Sequence, residues 1–298
     1  VGTPLDELIA ILDLETIEDN IFRGITPAAE ARERVFGGQV AAQALMAAGR
    51  CTPADRPVHS LHSYFLRPGD PSVPILYTVD RIRDGRSFTT RRVVAVQHGE
   101  AIFLLSAQFH DIEEGPSHGL AMPETPSPES LPTQQDRVKK MVEAGLEVPP
   151  WAGRPSPIDL RYVGEEDWAR SAAPRKDASK QVWARANGEL PDDPLLHACI
   201  VTYLSDMTLL PSVMIPWGLT WDGVAMMASL DHSMWFHRPC RADQWLLFDQ
   251  ESPASGGSRG LVSGRLFTQE GDLVVSIMQE GVVRVTPQWW EAHRNQSQ

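Results

Sequence analysis

Two stretches of this chain read alike, and the likeness narrows the choice of fold sharply. Ser63-Tyr-Phe-Leu-Arg-Pro68 matches Met234-Trp-Phe-His-Arg-Pro239. Each ends a β-like run and is followed by three more, near residues 75–81, 88–97 and 101–109 in the first half and 245–251, 260–268 and 273–285 in the second. The last two runs of each half are joined by similar turns, Gln97-His-Gly99-Glu and Glu270-Gly271-Asp, as expected of hairpins. Arg86 and Arg92 align with Arg259 and Arg265, and Gln108 aligns with Gln279 across a short gap. An ordered series of matches is hard to explain without duplication of one unit.

Each set of strands follows a helix. The first, near residues 38–48, is built almost wholly of small residues, which suits a helix that a sheet wraps closely. The second opens at Asp193-Pro194, a capping acid followed by proline at the first helical position. It carries Leu196, Ile200, Tyr203 and Met207 at helical spacing. A lead-in helix starts at Thr3-Pro4-Leu5-Asp6, with Leu5, Leu8, Ile9 and Leu12 on one face. The expected class is α+β: strand, buried helix, then four antiparallel strands curled over it, twice, in one continuous sheet. Residues 113–157 hold nine of the 24 prolines and predict a linker, with a short helix at about 136–144. The units are then residues 1–112 and 158–298.

Composition excludes several classes. The net charge of −12 argues against a nucleic-acid partner, and an anionic ligand needs a local arginine. Cys51, Cys199 and Cys240 form no CxxC pair and no cluster with histidine, so neither a metal site nor a disulfide framework is expected. The opening Val1-Gly-Thr-Pro-Leu-Asp lacks the pattern of a secretory signal, and no run approaches 18 uninterrupted apolar residues. No membrane span is expected, and the cytoplasm is the expected compartment. The oligomeric state stays open, with a homo-oligomer among the options.

Several polar residues are candidates for chemistry. Around the second helix Asp206 lies roughly 20° from Cys199 and 60° from Tyr203, on or beside the buried face. A carboxylate there needs partners or a task, and a helix-end acid facing solvent is the alternative. Gln279 shares a strand face with Ile277 and points to core or cleft, or else bonds backbone at a strand end. Ser229, at the start of a strand, is uninformative by itself. Gly37-Gly38 opens a helix and either presents N–H groups to an anion or allows tight packing. Ser117 in Gly115-Pro-Ser117-His-Gly119 fits a serine-hydrolase pattern, but the proline-rich run after it cannot be the required helix. His59 and His62 fall on opposite faces of a strand and cannot share a metal.

The segments Val35-Phe-Gly-Gly-Gln-Val40, His62-Ser-Tyr-Phe-Leu-Arg-Pro-Gly69, Tyr203-Leu-Ser-Asp206, Asp231-His-Ser-Met-Trp-Phe-His-Arg-Pro239 and Val274-Val-Ser-Ile-Met-Gln-Glu-Gly281 resemble the bacterial acyl-CoA thioesterase II family. The resemblance implies a double hotdog fold, two fused units whose one curved antiparallel sheet wraps two central helices. It implies hydrolysis of medium- to long-chain acyl-CoA to fatty acid and CoA, without metal or cofactor. The family's Asp, Thr or Ser, and Gln fall on Asp206, Ser229 and Gln279. Arg259, with Gly260 beside it, is the candidate for the CoA phosphates, and Gly37 and Gly38 for the cleft wall. The first helix has no acid from Gly37 to Gly49, so one catalytic set per chain is expected. A non-catalytic acyl-CoA-binding protein on the same scaffold is the alternative, and a hotdog dehydratase is another.

Overall fold

The computed structural model describes residues 2–27, 33–145, 148, 152–164 and 179–294. Helix α1 (Pro4–Leu12) starts as its sequence predicts. Thr3 accepts from the Asp6 N–H, the Asp6 carboxylate accepts from the Thr3 N–H at 2.7 Å, and Pro4 takes the first turn. Strands β1 (Glu15–Glu18) and β2 (Ile21–Gly24) lead to α2 (Gly37–Arg50). Strands β3 (Val58–Phe65), β4 (Ile75–Asp84), β5 (Phe88–Gln97) and β6 (Glu100–His110) follow. Helix α3 (Gln134–Glu143) lies in the proline-rich connection. Then come β7 (Ile158–Val163), β8 (Ser179–Ala186), α4 (Pro194–Thr208), β9 (Val224–Ser229), β10 (Asp231–Phe236), β11 (Leu246–Gly256), β12 (Arg259–Thr268), β13 (Leu273–Val285) and α5 (Pro287–His293).

Among the described residues thirteen strands form one antiparallel sheet, in the order β1-β2-β4-β5-β6-β3-β10-β13-β12-β11-β8-β7, with β9 also on β13. The halves meet where β3 pairs with β10, Leu61 opposite Met234. The sheet curls around α2 and α4, which pack on each other. This is the expected double hotdog. Close helix packing depends on small residues. Ala41, Ala42, Ala44, Ala47 and Ala48 are all buried, and a Cβ on Gly38 would stand 2.6 Å from the Tyr203 carbonyl oxygen. Ala44 is fully buried, so a leucine there overpacks the helix contact, a change that costs about 1–3 kcal/mol. On α4 the larger Leu196, Ile200, Tyr203 and Leu204 are buried, each contributing roughly 1.5–3 kcal/mol.

With the turns that follow it, α4 makes an apolar helical stretch, Pro194–Trp217, long enough to cross a membrane, with an 18-residue window of mean hydropathy 1.5. Of that window 78% is buried inside the protein, so its apolarity belongs to the core. The proline-rich connection is anchored to the molecule. The Trp183 indole donates to the Pro126 carbonyl at 2.9 Å, and Met122 and Leu131 pack on Trp183, Trp245, Leu247 and Phe267 over β8, β11 and β12.

The register relates the two halves rung by rung. Arg92 stands opposite Asp80 and Ser106, and Arg265 opposite Asp249 and Ser276. Both arginines bond their aspartates, at 2.6 and 3.1 Å. Counting three residues on from Ser106 and Ser276 gives Phe109 and Gln279. The sequence match of Gln108 to Gln279 is therefore corrected: Gln108 holds the place of Met278 and is exposed on the outer face. The same count sets His59-Ser60-Leu61 against His232-Ser233-Met234, two residues away from the match of Ser63 to Met234. A gap placed by residue likeness does not see the pleat, whereas the pairing does.

Candidate active site

Three elements of the second half bring Asp206, Ser229 and Gln279 together. Asp206 is in the last turn of α4 and half-buried. Gln279 is on the inner face of β13, fully buried between Ile277 and Gly281. Ser229 ends β9 opposite Gly281. The Gln279 Nε2 group donates to Asp206 Oδ1 at 2.7 Å and to Ser229 Oγ at 2.9 Å. The carboxylate fixes the amide's orientation, because the amide oxygen turned toward it would meet like charge. Both amide protons are thus in use. Ser229 Oγ accepts, which leaves its own proton to donate, and Gln279 Oε1 is a buried acceptor with no protein partner.

The first half supplies the opposite wall. A Cβ on Gly37 would stand 2.8 Å from Asp206 Oδ2 and 2.9 Å from the Phe65 ring, so only glycine lets the start of α2 come this close to the acid. Phe36, the N-cap, offers no side-chain cap, and its ring meets Tyr203 edge-on at 5.0 Å. The first N–H groups of a helix have no partner within it, and they carry the positive end of its dipole. Gly37 and Gly38 set that end of α2 beside Asp206. Phe65 is a wall residue that sequence reasoning missed; it stood in the matched Ser-Tyr-Phe-Leu-Arg-Pro segment without any sign of where its ring would point.

The other sequence-derived residues lie elsewhere. Arg259 sits opposite Val282 on the outer face and pairs with Glu280 at 3.1 Å, away from the Asp206 side of the sheet. Gly260 makes room for packing, since a Cβ there would stand 2.0 Å from Val213 Cγ2. Ser117 is exposed and accepts from Arg238 at 2.8 Å. His62 is exposed beside Ser233, and His59 packs edge-on with Phe88 and His110. Sequence reasoning also passed over Asp231 and His232, which flank the site. Burial raises the Asp231 carboxyl above its ordinary value. Burial lowers His232 to about 4, so its imidazole is neutral, and it contacts Ser205 Oγ at 2.9 Å, one residue before Asp206. Their signal was a polar pair opening a strand whose next inward residue is the fully buried Met234.

Comparisons with known proteins identify the family of the chain. A family model described as acyl-CoA thioesterase matches residues 163–282, and one described as acyl-CoA thioesterase N-terminal domain matches residues 26–110. Acyl-coenzyme A thioesterase 8 of Mus musculus is 41% identical over 290 residues, 94% of this chain and 89% of that protein. Acyl-CoA thioesterase 2 of Haemophilus influenzae is 37% identical over 94% of this chain and 98% of its own length. The crystal structure of the acyl-CoA thioesterase II TesB2 from Mycobacterium marinum matches with a TM-score of 0.78 at 43% identity, over 94% of this chain and 99% of that one. The chain therefore belongs to the acyl-CoA thioesterase II family and is an acyl-CoA thioester hydrolase.

Proposed function

We propose that Asp206, Ser229 and Gln279 hold and activate the water that splits a medium- to long-chain acyl-CoA. Asp206 takes a proton from the water as its oxygen attacks the thioester carbon. The carbon–sulfur bond then breaks, CoA leaves as the thiol once that proton is returned to sulfur, and the fatty acid is released. Water is a weak nucleophile near neutral pH, so a positioned base and fixed orientation are what the reaction needs. The observation that supports this reading is the paired hydrogen bonding of Gln279 Nε2 to Asp206 and Ser229. It joins the three polar groups and leaves the Ser229 proton for the water. The start of α2 at Gly37 and Gly38 faces the developing oxyanion with backbone N–H groups. Arg259, exposed at the sheet surface, is our candidate for the CoA phosphates.

Asp206→Asn tests the reading, because it keeps the shape and removes the proton acceptor. Free-thiol assays across short, medium and long acyl-CoA should show a preference for the longer chains in the parent. The variant should lose about 100-fold or more in turnover, the range of general-base loss. Turnover near the parent's in Asp206→Asn, or a burst of thiol matching the enzyme concentration, overturns it.

A further inference from the structure

Ser229 reaches Gln279 only because the β9–β10 strand is irregular. Between the rungs Ser233–Met278 and Ser229–Gly281, β9–β10 advances four residues while β13 advances three. One extra residue is a β-bulge, and it reverses the faces of everything beyond it. His232 and Met234 are buried on the inner face. Strict alternation from them turns Ser229 outward; the bulge turns it inward, beside Gln279.

The bulge leaves one ladder bond to be made good. In a regular rung Leu230 and Glu280 exchange two bonds. Here the Leu230 N–H donates to the Glu280 carbonyl at 2.8 Å, but the Leu230 carbonyl accepts from Phe65 of β3 at 2.9 Å. The Glu280 N–H donates instead to Asp231 Oδ1 at 2.7 Å. The first half has the same bulge, between Val58–Phe109 and Ser60–Gln108, but closes it differently. There the His110 N–H donates to the Pro57 carbonyl, and no side chain is involved. A carboxylate fills the missing rung only in the half that carries the Asp206 set.

We propose that Asp231 is a positioning residue that fastens this bulge and so aims Ser229 into the site. The inference rests on the reading of Asp206, Ser229 and Gln279 as the catalytic set. Asp231→Ala leaves the Glu280 N–H without an acceptor and lets β9 slide toward regular pairing, which turns Ser229 away. Asp231→Asn keeps an acceptor oxygen.

The test is a double-mutant cycle with full-length protein, using kcat and KM on one good acyl-CoA, with melting curves for every variant. Asp231→Ala should lower kcat about 10-fold with KM within about twofold of the parent, the signature of lost transition-state contacts. Asp231→Asn should recover kcat to within about threefold of the parent. In a Ser229→Ala background, Asp231→Ala should cost less than about twofold more, because both changes remove the same hydroxyl. If Ser229→Ala lowers kcat but the two losses multiply, or if Asn is no better than Ala, the positioning role is overturned and the catalytic reading stands. If Ser229→Ala costs nothing, the reading of Ser229 in the catalytic set and this inference both fall.

Discussion

The molecule has two places where the first turn of one central helix meets the last turn of the other. Counting from Gly37 in α2 and from Pro194 in α4, Gly49 and Asp206 both stand thirteenth. At one end Gly37 faces Asp206. At the other Leu195 faces Gly49, with Leu195 Cδ1 2.4 Å from where a Cβ on Gly49 would stand. On the strands Gln279 at the first end answers to the fully buried Phe109 at the second. Helix crossings, register and bulge are alike in both halves; the side chains differ. The end that answers to the proposed site is filled by apolar groups, Leu195 against Gly49 and the buried Phe109. Apolar groups there avoid the desolvation cost that buried polar groups carry.

The comparison can be broken by moving the acid. Asp206→Asn combined with Gly49→Asp should remain at least about 100-fold below the parent, because Phe109 stands there in place of a glutamine. Gly49→Asp alone should keep the activity but lower stability by about 2 kcal/mol, since its side chain meets Leu195. Urea unfolding and thiol assays read both, and a double variant that regains activity shows the clefts to be interchangeable. Next in size is Gln279→Ala, expected to lower kcat on the order of 30-fold if Gln279 holds the water as proposed. Gln108→Ala, on the exposed face with only a 3.4 Å contact to Thr90, should stay within about twofold. Similar losses in the two variants contradict this register, which sets Gln108 on the outer face and Phe109 in the place of Gln279.

The smallest effect concerns His232 and its counterpart His59. Burial lowers both, His232 to about 4, from an ordinary value of 6.5. Below pH 6.5 the unfolded chain protonates this histidine, while the native one stays neutral until about pH 4. The unfolded state therefore binds more protons in that window, and stability falls as pH falls from 6.5 toward 4. Between pH 7 and 5.5 the His232 share is about 1 kcal/mol. His232→Gln should show a correspondingly smaller drop in urea midpoint over that range. An unchanged drop contradicts a neutral buried imidazole in this position.

Much of this was legible in the sequence, because it follows from local rules. Proline and an acidic or hydroxyl cap marked the starts of α1 and α4. Helical spacing set Asp206 beside the buried face, and strand alternation set Gln279 with Ile277. What was hidden depended on pairing. Ser229's direction cannot be read from alternation, because a single bulge reverses it. Gln108 looked like a match for Gln279 because a gap restores residue likeness without regard to face. Gly260 beside Arg259 suggested an anion loop, yet it faces inward onto Val213 while Arg259 faces outward. The proline count identified an irregular connection, but prolines carry no signal about the surface on which an extended segment lies, here that of Trp183.

The seam between β3 and β10 also governs how this enzyme behaves when scarce. The proposed site brings Gly37 and Phe65 of one half against Asp206 of the other. Were the halves separate subunits, the cleft would come apart as the protein is diluted, because association depends on concentration. Here one covalent chain holds both halves, and each meets the other at an effective concentration on the order of millimolar however few molecules are present. Dilution alone therefore does not part the two halves, in a trace sample or in a concentrated one.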